Sequence, residues 1–311
     1  MREALVVLES YELGNIHRSI VEGLKACGLP VWPLVLPRDG CATPEENTTA
    51  VAMATKAADL VILIGPNDHL TEPALAEAYA EGKRIVSIQI DDPWAIDGGR
   101  VRLTGYYHEV LTSAVSSIAA YKALGAEAAC YLPFGFDPQV FRPVPVPHMK
   151  GFGILFLGSA YGKRVRRLQM LKARGLNVVC AGPGNHPAWQ IKRRFPAWAL
   201  PGMFQSAQVC LNFADQPDGT PGMKIRPFEV AGCGGGVLLT ERWPGCEELF
   251  TDGEECVYFD TDQDLADKVA ALLADETARK RISAAACERA HRDHTWEQRL
   301  RPHVQRWREA L

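Results

Sequence analysis

The stretch Tyr131-Leu132-Pro133-Phe134-Gly135-Phe136-Asp137-Pro138-Gln139-Val140-Phe141-Arg142-Pro143-Val144-Pro145-Val146-Pro147 places five prolines in its last fifteen positions. Proline has a fixed φ and no backbone N–H, so neither a helix nor an inner strand persists through such a run. The stretch therefore reads as an interdomain linker over residues 133–147, and the chain on either side of it repeats one grammar. Upstream, short apolar runs at 5–8, 31–36, 60–64, 84–90 and 128–132 alternate with helix-like stretches at 16–27, 44–57, 75–81 and 113–124. Downstream, runs at 153–157, 178–181, 208–213, 237–240 and 257–259 follow, with a helix at 163–174 and others between. The last seventy residues read mostly as helix, with apolar residues at Leu265, Val269, Leu272 and Leu273 forming a helical stripe.

Runs rich in Val, Ile and Leu without polar alternation are buried on both faces, which predicts parallel sheets covered by helices. The expected architecture is α/β: two doubly wound, Rossmann-like domains facing a cleft. Residues 1–147 form the first domain with its linker, 148–290 the second, and 291–311 a final helix. In such sheets ligands bind outside the carboxyl ends of the strands.

Composition bounds the partners. At 311 residues the chain is too long for one ordinary core and fits two domains of about 150 residues. Apolar residues make up 47% and charged residues 23%, as a globular protein requires. The net charge is −3, from 34 Lys+Arg against 37 Asp+Glu, which leaves no footprint for general nucleic-acid binding. No apolar run approaches the ~18 residues of a membrane span, and the opening apolar run is too short for a signal peptide. Nine cysteines without any C-x-x-C spacing read as reduced, buried thiols, and the expected location is cytoplasmic.

The segment Gly219-Thr220-Pro221-Gly222-Met223-Lys224-Ile225-Arg226-Pro227-Phe228-Glu229-Val230-Ala231-Gly232-Cys233-Gly234-Gly235-Gly236 carries the most chemistry. Gly and Pro break the chain at 219–222, and a short helix then begins with Pro227 in its first turn. The free N–H groups of a helix start, at Gly222 and Met223, suit a diphosphate. Lys224 and Arg226 add positive charge for a leaving nucleoside diphosphate, and Glu229 is placed to accept hydrogen bonds from ribose hydroxyls. The plain structural reading is an αβ turn with glycine caps and a surface arginine.

Residues 226–234, then Leu238-Leu239-Thr240, then Glu247-Glu248-Leu249-Phe250-Thr251-Asp252-Gly253-Glu254-Glu255 resemble the C-terminal domain of CgeB-type glycosyltransferases, relatives of the glycosyltransferase group 1 family. The stretch 131–143 resembles that family's linker. Phe156-Leu157-Gly158-Ser159 with Lys163-Arg164, and His294-Thr295-Trp296-Glu297-Gln298-Arg299, are similar too, and the matches run in family order over residues 84–300. The resemblance implies a GT-B fold, with the donor mainly on the C-terminal domain, the acceptor entering from the N-terminal one, and the final helix crossing back onto the first domain. It also implies no metal and no cofactor beyond the nucleotide-sugar substrate. Carried over, Glu229 takes the ribose-binding position and Gly158 and Ser159 the diphosphate loop, with Arg164 and Lys224 or Arg226 as phosphate partners. One departure stands out: the family's second glutamate, eight residues earlier, is Pro221 here.

Other candidates carry two readings each. Asp91-Asp92-Pro93 ends the run at 84–90, so Asp91 or Asp92 is an acceptor-side base or sugar partner, or else an Asx turn. Gly14-Asn15 is an acceptor-side loop or a helix N-cap. His17, His69 and His108 read first as surface or cleft-lining residues, with His69 the strongest catalytic candidate among them. Gly182, in Ala181-Gly182-Pro183-Gly184-Asn185, places a turn near the nucleotide base or is a plain turn. No G-x-G-x-x-G follows the first strand, so a dinucleotide fingerprint is absent. The expected function is a metal-independent glycosyltransferase acting from a nucleotide-sugar onto an unidentified acceptor. The alternatives are a GT-B-fold sugar-nucleotide epimerase and a non-catalytic nucleotide-sugar-binding protein.

Overall fold

A computed structural model describes residues 3–36, 42–66, 70–145, 151–159, 161–182, 195–216 and 219–311. The chain divides into two compact units, Met1–Gly135 with Trp296–Leu311, and Phe136–Thr295.

The first unit runs β1 (Ala4–Leu8), α1 (Ile16–Ala26), β2 (Val31–Val35), α2 (Pro44–Thr55), β3 (Leu60–Ile64), α3 (Pro73–Ala80), β4 (Arg84–Gln89), α4 (Trp94–Asp97), β5 (Glu109–Thr112), α5 (Ile118–Ala123) and β6 (Ala129–Tyr131). Its six-stranded sheet has the order β2-β1-β3-β4-β5-β6, and every pairing is parallel, as in Leu5 opposite Val61 and Leu60 opposite Arg84. β1 and β3 are buried at every position, as unalternating runs require of strands covered on both faces. Pro33 sits in β2 at the sheet edge, where a missing N–H costs no ladder bond to an outer neighbour. The helix expected over 113–124 is shorter: Val115–Ser117 turn as 3₁₀ before α5 begins.

The second unit runs β7 (Phe152–Leu157), α6 (Arg164–Ala173), β8 (Val178–Ala181), α7 (Leu200–Ser206), β9 (Ala207–Asn212), α8 (Arg226–Cys233), β10 (Val237–Glu241), β11 (Val257–Phe259), α9 (Asp262–Ala274) and α10 (Glu276–Asp293). Its sheet, ordered β11-β10-β9-β7-β8, is again wholly parallel. Ile154, Val209, Leu239 and Phe259 from the sheet pack with Leu168, Leu265 and Val269 from the helices in one core. Residues 136–145 of the proline-rich stretch belong to this unit. Phe136 is wholly buried, donates its N–H to His294 O at 3.1 Å, and sets its ring 5.2 Å from His291.

The final helix, α11 (Trp296–Glu309), belongs to the first unit and packs along α1. Gly23 makes that approach possible, because a Cβ there would lie 2.5 Å from Trp296 Cβ. At its far end Trp307 Nε1 and Arg306 Nη2 donate to the Glu109 carboxylate, both at 2.6 Å. Among the described residues no helix is long and apolar enough to cross a membrane.

Candidate functional site

Both sheets begin 2-1-3, so in each the winding reverses between the first and third strands. Ligand crevices of such sheets open where the exits of those two strands part. In the second unit the reversal lies between β7 and β9. The exit of β7 carries Gly158 and Ser159, and Gly158 N–H donates to Ala181 O at 2.9 Å, which ties it to the β8 exit beside buried Gly182. The exit of β9 folds back as a tight hairpin, with Gln216 N–H donating to Thr220 O at 2.8 Å and Gly222 N–H to Ala214 O at 2.9 Å. A Cβ on Gly222 would fall 2.3 Å from Gln216 Nε2, so the turn fits glycine closely. Gly158, Ser159, Gly182 and Gly222 therefore share one edge. Met223 and Lys224 lead from the hairpin into α8, half-buried.

The adjacent basic pair at the start of α6 splits its duties. Arg164 is only 6% exposed and its donors are turned inward. Nε reaches Asp215 Oδ1 at 3.0 Å, Nη2 reaches Asp215 O at 2.8 Å and Phe213 O at 3.3 Å, and Nη1 reaches Ser159 O at 3.4 Å. Its guanidinium also stacks 3.8 Å from the centre of the Tyr161 ring. Where the sequence suggests a phosphate partner, the structure places a staple between the β7 and β9 exits. Lys163, one residue earlier, is exposed and lines a pocket of ≈ 160 Å³ with Asp215, Gly219, Pro221, Glu241, Arg242, Phe259 and Asp260. The sequence reading missed Lys163 because adjacent helical residues face different ways, and only the packing decides which one turns in. Asp215, also missed, is buried, and its Oδ2 has no hydrogen-bond partner.

On α8, Arg226 and Glu229 lie one turn apart and form an ion pair. Glu229 is 4% exposed, and burial pushes its carboxyl above the usual range while the Arg226 charge and hydrogen bond pull the other way. Arg226 lies 5.3 Å from the centre of the Phe204 ring, and its Nε is buried without a hydrogen-bond partner. A guanidinium with an unused donor beside a carboxylate with one partner is a pair open to a further ligand.

In the first unit Asn15 caps α1, accepting from His17 N–H at 2.8 Å, directly after Gly14 with its positive φ of 76°. Asp92 is 6% exposed and committed to the fold: Thr112 donates to Oδ2 at 2.5 Å and Tyr121 to Oδ1 at 2.8 Å. Burial pushes its carboxyl up to about 6 despite those two hydrogen bonds, and neighbouring Asp91 and Asp97 push the same way. As an acceptor-side base Asp92 would have to leave both partners, whereas Asp91 is exposed at the β4 exit. His108 accepts from Ile85 N–H through Nδ1 at 3.1 Å and packs on Tyr79, which is a structural duty. His69 lies outside the described residues. Among the described residues no three His, Cys, Asp or Glu side chains group so as to hold a metal.

Residues 163–305 match a family model described as Glycosyl transferase-like. No curated protein sequence matches the chain. Among solved structures, the chain resembles sucrose-phosphate synthase (tll1590) from Thermosynechococcus elongatus, at 12% identity and a TM-score of 0.68 over 99% of both chains. It also resembles Anabaena Alr3699/HepE in complex with UDP and glucose, at 13% identity and a TM-score of 0.71 over 100% of both. A glycosyltransferase from Rickettsia africae ESF-5 aligns at 12% identity and a TM-score of 0.67, covering 99% of this chain and 98% of that one. At these identities the likeness speaks for architecture, and together with the two parallel sheets it shows that this chain has the GT-B fold of glycosyltransferases.

Proposed function

We propose that the protein is a glycosyltransferase that binds a nucleotide-diphosphate sugar on its second unit and transfers the sugar, without a metal, to a separate acceptor. The observation that carries this reading is the joint edge formed by the β7 and β9 exits. There the Lys163 ammonium lines a pocket with Gly219 and Pro221 of the glycine hairpin, the glycine loop stands at the β7 exit, and α8 with its Arg226–Glu229 pair follows the hairpin in the chain. The diphosphate would lie over Gly158, Ser159 and the Gly222–Met223 backbone, neutralised by Lys163, Lys224 and Arg226. Positive groups at that place stabilise the charge that grows on the leaving phosphate as the glycosidic bond breaks, so they lower the barrier more than they favour the ground state.

Donor binding would exchange partners on α8. Arg226 turns toward phosphate, and Glu229 accepts the ribose hydroxyls in its place. Arg164 positions both loops and does not touch the donor. UDP-sugars are the first donors to test, since the HepE structures hold UDP and UDP-glucose.

The test is a thermal-shift screen against UDP-, GDP-, TDP- and ADP-sugars with and without magnesium. A ligand at about 100 times its Kd stabilises by about 2.7 kcal/mol, a shift of a few degrees at this size. A shift with one nucleotide that persists in chelator supports the reading. A shift that vanishes with chelator removes metal independence, and no shift with any donor removes the site. Pro221, where the family carries a glutamate that steadies the transferred sugar, favours one second reading: a nucleotide-sugar binder without turnover. Donor binding with neither transfer nor hydrolysis is its signature.

A further inference from the structure

We infer that Phe136 is a positioning residue for the Glu229 carboxylate: its ring seats the last turn of α8 and so fixes where Glu229 stands. This rests on the donor reading of α8, but adds to it a residue that acts only through Glu229.

Arg226, Glu229 and Gly232 recur at every third position of α8, so they lie in one row along the helix. Glycine inside a helix is destabilising by itself, because it gives up more conformational freedom than alanine. The packing supplies the reason for it here. A Cβ on Gly232 would lie 2.7 Å from Phe136 Cδ2 and 2.8 Å from Phe136 Cζ, so the ring occupies the space that a side chain would need. The ring has no room to retreat. It is wholly buried and meets His291 edge to face at 88°, and its own backbone N–H is tied to His294 O.

The same turn is fixed through its carbonyls, which a helix end leaves without partners of its own. Gly232 O accepts from His291 Nε2 at 2.9 Å and from Cys287 Sγ at 3.7 Å. Cys233 O accepts from Gln205 Nε2 at 3.2 Å, and Gln205 Oε1 takes the N–H of Val144, from the same proline-rich stretch as Phe136, at 3.1 Å. Phe228, next to Glu229, packs 5.5 Å from His294 and 5.6 Å from Phe250, ring centre to ring centre. With 8 residues α8 is two turns long and moves as one rod, so a shift at Gly232 arrives undiminished at Glu229. A buried carboxylate displaced in this way loses hydrogen-bond geometry toward any ligand, and such bonds weaken steeply with misalignment.

Gly232→Ala sets helix propensity against the ring: α8 must move off Phe136 to admit the methyl group. Phe136→Leu withdraws the ring, and the double variant gives the methyl group room. UDP, GDP, TDP and ADP are titrated calorimetrically into the full chain and its variants, with folding followed by circular dichroism. Gly232→Ala should weaken the nucleotide that wild type binds by roughly tenfold, the scale of one hydrogen bond to a charged group. The double variant should recover to within about threefold of wild type, and in a Glu229→Gln background Gly232→Ala should cost less than about threefold. Phe136→Leu alone leaves α8 unsupported and should also weaken the nucleotide, which carries the test if Gly232→Ala unfolds. Lost stability with unaltered affinity, no recovery in the double variant, or an undiminished loss in the Glu229→Gln background each overturns the inference and leaves the donor reading standing.

The position of Glu229 is also read without any nucleotide, from its ¹³C-labelled carboxyl, assigned by loss of the signal in Glu229→Gln. Burial pushes that carboxyl above the usual range, so it should titrate at lower pH in Gly232→Ala and return in the double variant. An unmoved titration overturns the inference whether or not a nucleotide binds. A titration that moves as stated, in a protein that binds none of the four nucleotides, sinks only the donor reading.

Discussion

Lys163 and Arg164 are neighbours in sequence with different fates, and the difference sets two predictions. Lys163→Ala should leave stability nearly unchanged and weaken nucleotide-sugar binding by about 1.5–3 kcal/mol, the worth of a hydrogen bond to a charged group, as read by calorimetry. Arg164→Ala should cost about 3–5 kcal/mol in urea denaturation, because it strands the buried Asp215 carboxylate. An Arg164→Ala protein of unchanged stability would remove the staple. Glu229→Gln keeps the volume of the side chain, and donor affinity should fall by about 1–3 kcal/mol. Equal affinity in a folded variant takes Glu229 out of the nucleotide site. Asp92 gives a pH signature. Its folded carboxyl titrates at about 6, above the unfolded 3.8, so the stability linked to its proton is present below pH 3.8 and lost as pH rises through 6. Wild type should lose about 3 kcal/mol across that window relative to Asp92→Asn, measured as denaturation free energy at several pH values. Parallel pH profiles would mean that Asp92 is not the group responsible. At this scale the sequence displayed the residue types from which the site is proposed, whereas their partners were not legible in it. Nothing in Arg226-Pro227-Phe228-Glu229 says that arginine and glutamate meet, beyond a spacing that allows it.

At the scale of elements, α11 is held to the first unit by two features distant in the chain. Gly23 admits the Trp296 backbone, and Glu109, buried at the start of β5, receives Trp307 and Arg306. Burial alone would raise the Glu109 carboxyl, but hydrogen bonds from His303 and Trp307 and the charges of His303 and Arg306 prevail and hold it at about 2. Its folded value lies below the unfolded 4.5, so this contribution is complete above pH 4.5 and fades as pH falls toward 2. Gly23→Val should destabilise by about 1–3 kcal/mol through overpacking, and Glu109→Gln by a similar amount, additively in chemical denaturation if the two ends of the contact act separately. A neutral Gly23→Val would mean that α1 and α11 are not in contact in solution. The strands themselves were readable from composition, because a run such as Leu60–Ile64 has no polar face to expose. The short α5 was overestimated because Ala, Ser and Val at 114–117 suit a 3₁₀ turn as well as a helix, and packing decides between them.

At the scale of the molecule, the second unit is one continuous segment and the first is not. Residues 136–295 expressed alone should therefore fold cooperatively. Residues 1–135 should be folded only on addition of a peptide spanning 296–311, with the change followed by circular dichroism and amide spectra. A folded 1–135 fragment indifferent to that peptide would show that α11 is dispensable. Two parallel sheets and their covering helices were determined by the sequence alone. Those properties follow from local hydrophobic runs, which need no distant partner. Only the tertiary structure decided that residues 136–145 pack into the second unit, that Arg164 turns inward while Lys163 stays out, and that Asp92 is bound by Thr112 and Tyr121. The physical reason is common to all of these: each depends on which strand exits become neighbours, and strand order is set by packing between segments that lie far apart along the chain.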